Sequence, residues 1–296
     1  MPDDLQHLAE ISGHCEKPAL ELISTISKAT GTFFKPWIIT RNAKAEAKAA
    51  EAQARAKALT DEILTESQIK TTELKLRALT RFTTEEIRKQ INIDTILDIA
   101  LPLLSNGAKS REIDSDWVHN FINKSSQFSD ADMQNLWGRI LAGEANAPGS
   151  YSRRTINILN DFSKDDLKGF ESICRFSLRV EEEDLPVIIN HSDDIYARNG
   201  IDYIMLHHLD DIGLISYTTP IGTNYTFDTP PITFSYFGHR ITLNISPDTE
   251  IPIGQVVLTK SGTELHKLAN QTAVPGFLEH LCDYWQKKGL NPTITT

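Results

Sequence analysis

The chain has 296 residues, 40% of them hydrophobic and 24% charged, with a formal net charge of -10. That length accommodates two or three compact domains, and that composition excludes a wholly disordered chain. The negative balance argues against general attraction to phosphate backbones, so nucleic acid is not an expected partner.

Cys15, Cys174 and Cys282 stand far apart, with no CxxC pair. They offer neither a disulfide framework nor a structural zinc site, and they fit a reducing cytoplasm. The acidic opening MPDDLQHLAE lacks the basic start of a secretory leader. No run approaches the roughly 18–20 apolar residues of a membrane span. The expected location is the cytoplasm, with at most a peripheral contact to the inner membrane.

In chain order, residues 17–30 predict an amphipathic helix: Pro18 suits the first turn, and Ala19, Leu22, Ile23, Ile26 and Ala29 recur at helical spacing before Gly31. Phe33, Phe34 and Trp37 follow around Lys35. The stretch 17–39 suits either docking on the protein's own core or an anchor on a membrane surface. From Arg41 to about Thr80 the chain is rich in Ala, Lys, Glu and Arg, without Gly or Pro, which predicts a long solvated helix. Residues 1–80 therefore form a first segment.

A central helical bundle is expected over 81–176. Its first helix, 81–104, has Thr83 and Glu86 at capping-box spacing. A helix from Ser115 would bury Trp117, Val118, Phe121 and Ile122. Another, capped by Ser129, carries Met133, Leu136, Trp137, Ile140 and Leu141 as a core-facing stripe. Two short helices, 152–161 and 164–176, complete it, the second capped by Ser163 with Asp166 three residues on.

Residues 177–296 change texture. A helix at 201–212 runs into a strand, and alternating Ile232, Phe234, Tyr236 and Ile241, Leu243, Ile245 flank a Gly turn, which is a hairpin signal. A strand at 255–259 feeds a helix over 261–268, and Phe277, Leu278, Leu281 and Trp285 mark a last amphipathic helix over 275–288. The order helix, strand, hairpin, strand, helix resembles a winged-helix-like domain. The expected fold class is mainly α with a smaller α+β part: a helical N-terminal and central bundle followed by that winged-helix-like C-terminal domain.

The central motif LWGRILAGEANAPGSYSRRT, together with Asp116-Trp117 and Gln134, resembles a bacterial family catalogued as domain of unknown function 2806. The opening KPALELISTISKATGTFFKPW is similar to that family's N-terminal segment and also to the openings of abortive-infection-like bacterial proteins. The resemblance implies a bacterial origin and a fold. It transfers no catalytic residue.

The leading candidate site is the turn at 148–155, where Ser150, Ser152, Arg153 and Arg154 stand at a helix start. There, free N–H groups and the helix dipole attract anions. The same turn also reads as purely structural, with a serine cap and Glu144 bracing an arginine. His207 and Asp211 have i,i+4 spacing but lack further ligand donors, so no metal site and no cofactor are expected. Neither a GxSxG elbow nor a GxxxxGK[ST] loop is present, and the pairs Asp165-Asp166, Asp193-Asp194 and Asp210-Asp211 read as solvated acids. From Glu171 onward acidic residues outnumber basic ones two to one, and the helix at 201–212 has no Lys or Arg. A recognition helix without cations forfeits phosphate contacts. The expectation is a non-enzymatic interaction or regulatory module, binding another protein or itself, with phage defence as its expected setting. A membrane-associating effector and a DNA-binding regulator are the alternatives.

Overall fold

The computed structural model describes residues 17–30, 66–219, 222–228, 230–269 and 271–295. The chain divides into two compact units, Met1–Ser150 and Tyr151–Thr296. The first is helical and the second combines helices with strands.

In the first unit, α1 (Lys17–Thr30) buries Ala19, Leu22 and Ile26 and packs on α3 (Ser115–Ser125). Its apolar face is thus used within the unit. Phe33, Phe34 and Trp37 lie outside the described residues. The helix α2 runs unbroken over Glu66–Ala100. The capping box expected at Thr83 does not start a helix, because nothing upstream breaks the one already under way. Pro102 ends it, leaving a 3-10 turn at Leu101–Leu103. Between Thr72 and Ile91 no α2 residue is buried, and Leu74, Leu79 and Phe82 stand in solvent.

The C-terminal part of α2 packs on α4 (Ala131–Asn146). Gly138 permits this, since a Cβ there would meet Ile99 Cγ2 at 2.5 Å and Ile96 O at 3.1 Å. The α4 cap is Asp130, which accepts from the N–H groups of Asp132 and Met133, one residue beyond the expected Ser129. The predicted stripe is buried throughout, and Trp137 meets Phe121 edge-on at 5.3 Å. Buried Asn92 donates to Ser126 O and accepts from Gln134 Nε2, so the polar groups in this contact are satisfied.

The second unit opens with α5 (Arg153–Asn160) and α6 (Lys164–Cys174). Both bonds of the predicted Ser163–Asp166 capping box are formed. A tight hairpin, β1 (Ser177–Val180) and β2 (Glu183–Pro186), was hidden in the sequence by its charged tip. After the short α7 (Asp194–Ala197) comes α8 (Tyr203–Asp211), stopped by Gly213 at φ +82°.

Three strand pairs then nest inside one another. The innermost, β5 (Ile232–Tyr236) with β6 (His239–Leu243), is the expected hairpin. Around it β4 (Thr223–Tyr225) pairs with β7 (Ile251–Gly254), and at the base β3 (Ile215–Tyr217) pairs with β8 (Val256–Leu258). The strand after α8 is therefore closed by β8, and neither pairs with the β5–β6 hairpin. That hairpin instead joins a five-stranded sheet of order β2-β1-β5-β6-β9, with β9 at Thr293–Thr295. Alternation drives the choice: Ile232, Phe234, Tyr236, Ile241 and Leu243 bury one face. Helices α9 (Lys260–His266) and α10 (Phe277–Lys287) follow β8. All four predicted apolar residues of α10 are buried, and Trp285 Nε1 donates to Pro252 O at 3.0 Å.

Candidate functional site

Glu144, Ser150 and Ser152 of the predicted turn serve local structure in their respective units. In the first, Glu144 Oε1 accepts from Gly149 N at 2.7 Å, and Ser150 Oγ donates to Ala147 O at 2.6 Å. In the second, Ser152 caps α5 by accepting from Thr155 N. Its own N–H donates to Glu264 Oε2 at 2.7 Å, and the Thr155 hydroxyl reaches the same oxygen at 2.5 Å. Glu264 is buried on α9. A helix start attracts an anion, and this one already holds a carboxylate of its own chain. Arg153 and Arg154 are exposed on the first turn of α5. The sequence signalled the donors but not Glu264, which lies more than a hundred residues downstream.

A second constellation surrounds α8. Leu206 and Leu209 face inward, and Met205 touches Gly169 of α6. Opposite them, Tyr203, Ile204, His207, His208 and Asp211 line the outer face. Ile204 is 77% exposed and Tyr203 54%. His207 packs edge-on against Tyr203 at 4.3 Å and Tyr217 at 5.1 Å, and Tyr217 OH lies 3.0 Å from His191 Nδ1. His208 turns away to Asp166, with Nε2 2.6 Å from Oδ1. The adjacent histidines thus serve different partners, and His207 serves an aromatic cluster. Among the described residues, no group of three or more His, Cys, Asp or Glu side chains could hold a metal. Among them, too, no helix is long and apolar enough to cross a membrane.

Two carboxylates of this unit are tuned by histidines. Burial alone would raise Asp166, but the Ser163 N–H and hydroxyl and then His208 outweigh it and hold the carboxyl below its usual range. The hydrogen bond from buried His266 lowers Asp184 against a smaller opposing effect of burial, with help from the charges of His266, Arg179 and Lys267. Both groups titrate lower folded than unfolded. Their stabilisation is therefore complete above the unfolded carboxylate pKa of about 4 and drains as pH falls through the folded values. The urea midpoint is expected to fall between about pH 5 and pH 2, with D184N flattening that fall. An equally steep decline in D184N would place the acid-sensitive contact elsewhere.

The helical first unit and the strand-bearing second unit, with a self-capped helix start and an exposed aromatic helix face, define a two-unit α and α+β protein. The family described as Protein of unknown function (DUF2806) matches residues 76–282, and the chain belongs to that family. No curated protein and no solved structure matches it.

Proposed function

We propose that this chain is a non-catalytic protein-interaction module that makes its contact through the outer face of α8. The observation that carries this reading is the composition of that face. Ile204 and Tyr203 stand in solvent on a helix without Lys or Arg, with Asp202 and Asp211 also exposed. Exposed apolar residues cost little singly, but an isoleucine and an aromatic cluster together suit a protein contact. The frame we read as winged-helix-like consists of α6, α8, the β3–β8 pair and α9, with the inner strand pairs as an insertion between the two wing strands. In that frame α8 occupies the position where a DNA reader would present cations, and it presents carboxylates. Phage defence is the cellular setting we propose for it, on the resemblance read in the opening segment alone.

The test is a photo-crosslinking residue at position 204 of the full chain in its own host, compared with one at exposed Asp165. A discrete protein adduct is expected at 204 alone, and I204D should abolish retention of that captured protein while leaving the circular dichroism unchanged. Adducts to nucleic acid, or equal labelling at both positions, would overturn the reading. A duplex-retardation assay should show no band that fades with salt.

A further inference from the structure

A cleft of about 210 Å³ lies where β2 runs beside β8. Its floor is apolar: Leu185, Pro186, Ile253 and Val256 are all buried. Its rim is acidic, with exposed Glu182 and Glu183 beside the phenol of Tyr225. Asp184 also lines it, but that charge is answered by His266 at 3.3 Å and Arg179 at 3.4 Å. Glu182 and Glu183 have no ion-pair partner among the described residues, and no Lys or Arg lines the cleft.

The strand register adds main-chain partners. Val180↔Glu183 closes a two-residue turn, and Val187 N donates to Phe176 O, which sets the phase of the β1–β2 ladder. Glu183 and Leu185 therefore direct their N–H and C=O groups at β1, while those of Asp184 face outward. As the sheet's outer strand, β2 presents this edge beside the cleft.

We propose that the cleft receives a lysine side chain from an extended segment of a partner protein, whose backbone adds to the outer edge of β2. The alkyl stem covers the apolar floor, and the ammonium lies between the two glutamates and the Tyr225 ring. Carboxylates with an aromatic face are the groups that recognise an ammonium. Burial, with the nearby Glu183 charge, raises the Tyr225 phenol pKa, so the ring stays neutral. This inference rests on the interaction reading but uses a different surface.

The experiment titrates the ¹⁵N-labelled full chain with the pentapeptide acetyl-Val-Lys-Val-Lys-Val-amide, its lysine-acetylated twin, and free 1,5-diaminopentane. Saturable shifts confined to β2, β8 and Tyr225 are expected. Acetylation, or the double variant E182Q/E183Q, should weaken binding at least tenfold. Both glutamates are exposed, so the variant keeps its fold. Equal binding of the acetylated peptide, no shifts at all, or diamine binding as tight as the peptide would overturn the proposal, the last by making the site one for a free diamine. I204D should leave the titration unchanged, so failure here is separable from failure of the α8 reading.

Discussion

G254A is expected to lose about 4 kcal/mol or more and to leave the second unit largely unfolded at 37 °C. A Cβ at this position would lie 2.0 Å from Ile188 O, 2.3 Å from Ile188 C and 2.7 Å from Ile189 N. All three are main-chain atoms, so no rotamer change relieves the clash. The backbone also sits at φ +104°, which L side chains rarely adopt. Relief would pull the Gly254 strand away from fully buried Val187 and Ile188, and would break the 2.7 Å bond from Gln255 N to Ile188 O. G238A serves as the control. That glycine has φ +89° but nothing within 4 Å of its Cβ, so only conformational strain of about 1–2 kcal/mol is expected. Urea unfolding followed by far-ultraviolet circular dichroism separates the two. Equal losses would mean that strain, and not the close approach, sets the requirement for glycine.

E264A is expected to cost about 2–4 kcal/mol, because it removes the shared acceptor of two donors, leaving the Thr155 hydroxyl only Ser152 Oγ at 3.0 Å, and opens a void between α5 and α9. One of those donors, Thr155 Oγ1, belongs to a residue with no exposed surface. E264Q keeps an oxygen where both donors point and loses only the charge against the helix dipole, so about 1 kcal/mol is expected. Thermal melts of the three chains decide the matter. If alanine and glutamine cost the same, the charge is what the helix start requires, and the acceptor geometry is secondary.

What the sequence disclosed follows the range of the forces involved. The stripe Met133 to Leu141, the Ser163 capping box and the hairpin from Ile232 depend on neighbours within a few residues, and all three formed, the hairpin ending at Leu243 short of the expected Ile245. The β1–β2 hairpin was missed because the run Glu181–Asp184 reads as a solvated loop, although Leu178, Val180 and Leu185 supply its buried face. The pairing of β3 with β8 joins residues some forty positions apart, and no local pattern announces which of several strands closes such a loop. At the 148–155 turn the helix start was legible, but its occupant was not. A carboxylate from α9 reaches it only once the second unit is folded.

The nesting of β5–β6 inside β4–β7 inside β3–β8 bears on how the second unit assembles in time. Direct closure of β3 on β8 would tie off a loop of nearly forty residues, with a correspondingly large entropic barrier. Starting at the two-residue turn Phe237-Gly238 shortens each later closure, so the excursion zips from its tip towards its base. The base pair beneath the α8 face then forms last. Substitutions at the turn should slow refolding, and those in β3 or β8 should chiefly hasten unfolding. Refolding that runs from tip to base would thus complete the ground beneath the α8 face only after the inner strand pairs have formed.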